Sequence, residues 1–256
     1  MTEGATEVDL PGGPRVRCIS VPEATVLWTE ATEEGLYRAS ARTLRPGDTV
    51  LDIGANIGLV SLMYGRTVPG LRIVAVEPAP ATFGCLEVNL RRNLPGAACL
   101  RAAVCDEPGE RTFTYYPRST GNSGLFADAR ADDRTTRTFL RNSGIAEEFI
   151  GDLVRGLHVG VELTVRALTV SDLIRRYDLD RVDLLKVDVE RAERLVLDGV
   201  EERHWPRIRR VVAEVHDDEG RLGGIVDLLR RHGFTTRVSQ HPKLAGTELF
   251  ELDAGR

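Results

Sequence analysis

The chain alternates between two hydrophobic rhythms. Short, almost wholly apolar runs recur at residues 49–53, 72–76 and 98–104, the pattern of strands buried on both faces. Between them Leu59, Leu62 and Met63, and then Phe83, Leu86 and Leu90, each fall on one helical face. The alternation returns with strands at 161–166, 183–187 and 210–215, helices at 170–177, 190–197 and 219–232, and a closing antiparallel pair at 234–238 and 247–252. Ahead of this series, residues 16–21 read as a strand of an N-terminal hairpin. Glu33 and Glu34 read as the opening of a helix whose apolar face is Tyr37, Ala41 and Leu44. The predicted architecture is α/β: a doubly wound, mostly parallel seven-stranded sheet with right-handed crossovers.

One stretch breaks the rhythm. Residues 110–116 alternate as a strand, and 117–160 then run polar and irregular around one amphipathic patch, Ile150, Leu153, Val154 and Leu157. Long unpatterned segments in compact domains are uncommon and often functional. The stretch is expected to be a helical cap that covers a ligand or, failing that, a surface elaboration or subunit contact in a homo-oligomer. The chain therefore reads as a single domain, 1–256, with an N-terminal extension (1–45) and a cap insertion (117–160).

Composition narrows the partners. Hydrophobic residues make up 42% and aromatics 5%, so the core is mainly aliphatic. A net charge of −5 argues against a phosphate-backbone binder, which presents a basic face. No apolar run is long enough for a membrane span, and the start Met1-Thr2-Glu3-Gly4 lacks the basic and apolar regions of a targeting signal. The expectation is a cytoplasmic protein with neither nucleic acid nor membrane as partner. Cys18, Cys85, Cys99 and Cys105 form no CxxC pair, which points to free thiols rather than a disulfide framework or zinc site.

The candidate chemistry lies at strand ends. Val50-Leu51-Asp52-Ile53-Gly54-Ala55-Asn56-Ile57-Gly58 carries a buried strand into a glycine turn that opens a helix, and Glu77 ends the next strand. An acid there accepts hydrogen bonds from ribose hydroxyls in dinucleotide-type folds, and Gly54 is expected to let backbone approach the ligand. Asn56 stands where a dinucleotide fingerprint has its second glycine, Gly58 comes one residue early for the third, and no Gly-Lys-Ser/Thr occurs. The geometry predicts an adenosine-containing ligand, and the glycine pattern departs from the dinucleotide fingerprint and lacks the phosphate-binding loop. A second segment, Asp183-Leu184-Leu185-Lys186-Val187-Asp188-Val189-Glu190, places Lys186, Asp188 and Glu190 on one strand face. A lysine inside a central strand needs a partner, and Asp188 is the obvious one, whether the pair is structural or functional. Glu214 and His216 share a face at the end of the next core strand.

With these segments the chain resembles the FkbM-type family of class I S-adenosylmethionine-dependent methyltransferases. The resemblance runs from about residue 49 to 217 and includes Gly121-Asn122-Ser123-Gly124-Leu125 in the cap. It implies a Rossmann-like methyltransferase fold and O-methylation of a hydroxyl on a small natural product or sugar. It further implies S-adenosylmethionine held around Asp52, Gly54, Asn56, Gly58, Glu77 and Ala103. Two departures concern the acceptor: Arg191 stands where the family pattern has glycine, and 126–160 is more elaborate. For catalysis the expected set is His216 as first candidate for the base, Asp188 as second, and Lys186. A rival way to activate the acceptor is Mg²⁺ held by Asp188, Glu214 and His216. Two other classes compete, a nicotinamide-dependent oxidoreductase and a non-catalytic interaction module on a methyltransferase scaffold.

Overall fold

A computed structural model describes residues 5–256; Met1–Gly4, read above for targeting signals, lie outside the described residues. In chain order the strands and helices begin with β1 (Thr6–Asp9), β2 (Arg15–Cys18), α1 (Val21–Thr32), α2 (Leu36–Ala41), β3 (Thr49–Ile53), α3 (Leu59–Thr67), β4 (Arg72–Val76) and α4 (Pro80–Asn93). They continue through β5 (Ala98–Leu100), β6 (Ala103–Val104), β7 (Gly109–Tyr115), α5 (Ala129–Asn142), α6 (Glu147–Val154), β8 (Val161–Leu168) and α7 (Val170–Arg176). The last are β9 (Leu184–Val187), α8 (Glu193–Asp198), β10 (Arg210–His216), α9 (Arg221–Arg231), β11 (Thr235–Ser239) and β12 (Leu249–Gly255).

The central sheet has seven strands in the order β11-β12-β10-β9-β3-β4-β5. Its neighbours are parallel except at β12, which runs antiparallel to both β10 and β11. The chain winds outward from β3 to β5, then returns on the other side of β3 as β9. That reversal opens a crevice at the carboxyl ends of β3 and β9, where open α/β sheets bind ligands. The register sets Asp52 beside Lys186 and Ile53 beside Val187. Alternate strand residues feed two cores: Val50, Ala75 and Leu184 pack toward α1–α4, while Leu51, Val74 and Leu185 pack on the opposite face.

Three boundaries differ from the sequence expectations. The strand of 98–104 divides: β5 pairs with β4, whereas β6 leaves the sheet to pair with β8 in a three-stranded sheet, β6-β8-β7. The break falls at exposed Arg101, which a continuous buried strand would have to desolvate. Val21 starts a helix instead of ending a strand. Ser20 caps it, its hydroxyl accepting from the Glu23 N–H at 3.3 Å, and proline occupies the first turn. Glu33 and Glu34 then lie between two helices rather than opening one.

The cap forms two helices, α5 and α6, over the crevice. Asp128 caps α5 by accepting from the Arg130 and Ala131 N–H groups. Asn142 donates to the carbonyls of Lys243 and Ala245, which ties the cap's far end to the loop before β12. Within the amphipathic patch Ile150 and Val154 are buried, whereas Leu153 is exposed, as is the neighbouring Phe149. Among the described residues no helix is long and apolar enough to cross a membrane, and all four cysteines are free.

Candidate active site

The turn after β3 is built by hydrogen bonds that converge on Glu77. Gly54 and Ala55 both donate their N–H to the Val76 carbonyl at 3.0 Å. Glu77 Oε2 accepts from the Asn56 N–H at 3.1 Å, and Oε1 accepts from the Ala79 N–H at 3.0 Å and the Thr82 hydroxyl at 2.7 Å. Burial pushes the Glu77 carboxyl upward, and these hydrogen bonds oppose the shift. Glu77 therefore organises the turn while facing a cleft of about 480 Å³, within the size range of small-molecule sites. Asn56 sits in the left-handed region (φ 49°) and donates through Nδ2 to Thr120 Oγ1 at 3.1 Å. Glu23 of α1 accepts from the Gly121 N–H at 3.0 Å. The turn, the cap signature and α1 are thus joined around the cleft.

Of the residues expected at a cofactor site, Gly54, Asn56, Glu77 and Ala103 line this cleft. Asp52 and Gly58 do not. Asp52 is buried behind the turn, accepting from Ser61 Oγ at 2.6 Å and facing Lys186 Nζ at 3.1 Å. Gly58 (φ 90°) begins α3, where a Cβ would stand 2.7 Å from Leu86 Cδ1. Gly54 (φ 75°) lines the cleft, yet the contact that demands glycine is internal. A Cβ there would stand 1.6 Å from the Asp188 carbonyl oxygen, so the ends of β3 and β9 abut without room for one.

Lys186 is held on all sides. Its Nζ donates to the Gly54 carbonyl at 2.7 Å and lies 3.1 Å from Asp52 Oδ1 and 3.3 Å from Asp188 Oδ2. Burial pulls its pKa down, but Asp52 and Asp188 outweigh it and hold the ammonium above the ordinary lysine value. Lys186 is therefore a fixed positive charge. Asp188 Oδ2 also receives Tyr37 of α2 at 3.1 Å, and the same hydroxyl lies 2.7 Å from Glu214 Oε1. The Asp188 side chain keeps 28% of its surface open and lines the cleft, and its Oδ1 has no hydrogen-bond partner among the described residues.

His216 is placed differently from the sequence expectation. It does not line the cleft. Nδ1 meets Glu193 Oε1 at 3.1 Å and Nε2 meets Glu190 Oε2 at 3.3 Å, with all three side chains buried. Burial pulls the ring's pKa down, but Glu190 and then Glu193 raise it to about 9. Both ring nitrogens are engaged by buried carboxyl groups and the ring does not reach the cleft, which corrects the assignment of His216 as a neutral base facing the acceptor. The expected metal set does not converge either. Asp188 and Glu214 both face Tyr37 while His216 faces away, and among the described residues no three His, Cys, Asp or Glu side chains are grouped to hold a metal ion.

Arg191, at a departure from the family pattern, ties the floor of the cleft to the cap. Glu190 and Arg191 both have positive φ, 52° and 71°, a conformation that favours glycine. Arg191 Nη1 lies 2.7 Å from Asp132 Oδ1 of α5, and both side chains are buried. Tyr116 donates to the other Asp132 oxygen at 3.1 Å. The cleft also has apolar walls from α1 (Val26, Leu27), the cap (Phe139, Leu153) and β12 (Phe250), which form a chamber with Glu30, Glu34 and Glu251 among its acids.

The pattern that defines the methyltransferase FkbM domain matches residues 52–236. The chain belongs to the FkbM methyltransferase family. It is 40% identical to the 31-O-demethyl-FK506 methyltransferase FkbM of Streptomyces tacrolimicus, over 100% of this chain and 99% of that protein. It is 36% identical to the methyltransferase sdnD of Sordaria araneosa, over 84% of each. The fold is also that of the FkbM methyltransferase from Methylobacillus flagellatus KT, with a TM-score of 0.50 at 13% identity, covering 82% of this chain and 44% of that one. Within the FkbM-family domain the mostly parallel seven-stranded sheet is the one expected from the sequence. Tyr37, Glu23 and Thr120 were not singled out there. Tyr37 stood in the sequence as part of an apolar helical face, and only the packing of α2 against β10 shows where its hydroxyl points.

Proposed function

We propose that the protein transfers a methyl group from S-adenosylmethionine to a hydroxyl oxygen of a small, largely apolar molecule. The observation that carries this reading is one continuous cleft: it begins at the Glu77 turn, passes the free oxygen of Asp188 and ends in an apolar chamber roofed by the cap. Bound at the turn, S-adenosylmethionine would supply a methyl group already activated by the positive charge of its sulfur. Glu77 then offers its remaining lone pairs to the ribose hydroxyls, with Asn56 and Ala103 flanking. Asp188 Oδ1 takes the proton of the acceptor hydroxyl. Lys186 stands 3.3 Å from Oδ2, and the fixed Lys186–Asp52 pair holds that carboxylate in place. A positioned base contributes roughly 10²–10⁴-fold, and alignment of the reacting atoms contributes on the order of 7–11 kcal/mol in favourable cases. The cap residues exclude water from the chamber, and the acids along its wall disfavour an anionic acceptor.

Calorimetric titration with S-adenosylmethionine and, separately, NAD tests the cofactor. S-adenosylmethionine is expected to bind and NAD is not; the reverse outcome would make the oxidoreductase reading correct. Incubation with S-adenosylmethionine and a panel of hydroxy compounds, starting from 31-O-demethyl-FK506, is then read by mass spectrometry for added methyl groups. Asp188→Asn is expected to slow any transfer by about 10²-fold or more. Transfer to nitrogen, or an Asp188→Asn variant as fast as wild type, would overturn the assignment.

A further inference from the structure

The chemistry of one hydroxyl carries an inference beyond the assignment of a base. A phenol has one proton to donate. Tyr37 Oη nevertheless lies within hydrogen-bond distance of two carboxyl oxygens, 2.7 Å from Glu214 Oε1 and 3.1 Å from Asp188 Oδ2. If both carboxyls were ionised, one of these contacts would set a negatively charged oxygen against the phenol's lone pairs in a buried site. Both contacts are attractive when one carboxyl carries a proton and donates it to the phenol, while the phenol donates to the other. Lys186 decides which is which. Its ammonium touches Asp188 Oδ2 at 3.3 Å, whereas no ion pair reaches Glu214 among the described residues.

We propose that Tyr37 is a positioning residue through which Glu214 and Asp188 share a single proton, held on Glu214, so that Asp188 stands as the anion facing the acceptor. In the methyl-transfer reading, the acceptor O–H bond breaks as its oxygen bonds the methyl carbon. The C–S electron pair stays on sulfur, giving a neutral thioether, and the proton ends on Asp188 Oδ1. Glu214 is already protonated and Tyr37 remains a phenol, so neither takes up that proton. The arrangement thus leaves Asp188 as the one anion of this carboxyl pair on the cleft side of Lys186, whose other partner, Asp52, lies behind the turn. Among the described residues, the charged and titratable groups around this pair are Lys186 from β9 with Asp52 of β3 behind it, Glu190 from the loop after β9, Glu30 from α1, Tyr64 from α3, and Glu251 from β12, the cross-strand neighbour of Glu214. Burial, and then Asp188, push the Glu214 carboxyl well above the ordinary glutamate range, in the same direction as the geometry.

The role of Asp188 as base rests on the proposed function. The proton count does not, because it can be read without cofactor or acceptor. Infrared difference spectra of the full-length protein report protonated carboxyls through their C=O stretch. At about pH 7.5, subtracting the Glu214→Gln spectrum from that of wild type is expected to show one protonated-carboxyl band. Tyr37→Phe keeps the ring and removes the hydroxyl. It is expected to shift the frequency of that band and to move its titration midpoint by about one pH unit, since the acid loses its hydrogen-bond partner. Asp188→Asn leaves α2 untouched and is expected to lower the same midpoint by removing the neighbouring anion, which keeps the test available if Tyr37→Phe folds poorly. An empty Glu214→Gln difference spectrum, or a midpoint unmoved in Tyr37→Phe or in Asp188→Asn, overturns the proposal. A protein with these bands that nevertheless binds no S-adenosylmethionine would instead overturn the methyl-transfer reading.

Discussion

Raising the pH should weaken this protein through His216, and the size of the effect follows from its surroundings. The ring is buried with one nitrogen on Glu193 and the other on Glu190, and its pKa stands at about 9 against an ordinary 6.5. A raised folded-state value means that protonation favours the native state. The contribution is full below about pH 6.5 and is lost as the pH rises through about 9. One pKa unit corresponds to about 1.4 kcal/mol. At about pH 7 the protonated ring therefore contributes on the order of 2 kcal/mol, and by about pH 9.5 almost nothing. Glu190, pushed up to about 8 by burial, changes stability in the same direction, since its ionisation on raising the pH also disfavours the folded chain. The assay is urea unfolding of wild type and His216→Gln at several pH values between about 7 and 9.5. The variant is expected to be less stable near pH 7 by on the order of 2 kcal/mol, and the two curves are expected to converge toward pH 9.5. Parallel curves, with a constant difference across the range, would mean that the ring is not charged in the folded protein and would return it to candidacy as a base.

Other predictions follow from single contacts. Gly54→Ala should cost more than the roughly 1–2 kcal/mol of a left-handed alanine, because its Cβ meets the Asp188 carbonyl. A melt that falls by less than a few degrees would contradict the close approach of β3 and β9. Glu77→Ala should weaken S-adenosylmethionine binding at least roughly tenfold, from hydrogen bonds worth about 1.5–3 kcal/mol each. It should also lower the melting temperature, since the Asn56 and Ala79 N–H groups lose their acceptor. Asp132→Ala should destabilise by about 3–5 kcal/mol by leaving Arg191 buried without its main partner. The double variant with Arg191→Gly should recover part of that loss in urea unfolding, and a double variant no better than the single one would show that the charge is solvated.

The legible parts of this fold were those written in local pattern. Residues 49–53 and 72–76 are strands because buried parallel strands leave continuous apolar runs, and Glu77 and Asn56 were found because a turn between strand and helix has its own residue chemistry. The helix at 21–32 carried a legible start in Ser20 and Pro22, but the preceding apolar run of Val16, Cys18, Ile19 and Val21 competed with it. His216 illustrates a different limit. Its position at a strand end was correct, yet its protonation depends on Glu190 and Glu193, which only the turn into α8 brings against it. Tyr37 is the same case across a longer span of chain. Nothing local distinguishes a tyrosine that fills a core from one whose hydroxyl separates two carboxyls on β9 and β10.

The cleft also has a genealogy of parts. The stretch matched by the family pattern, 52–236, contains the Glu77 turn, Lys186 and Asp188. The wall opposite them comes from α1 and α2, which precede it, and from β12, which follows it. Two kinds of change are therefore separable in this architecture where two flank residues, Glu23 and Tyr37, are kept. Other substitutions in the flanks reshape the chamber while the contacts of the turn stay in place. Under the proposed function, grafting α1 and the start of α2 from a relative, with Glu23 and Tyr37 retained, is a modular route to new acceptors. Trimming an expressed fragment to the family boundaries would have the opposite effect, removing that wall together with the first three residues of β3, most of β11 and the whole of β12.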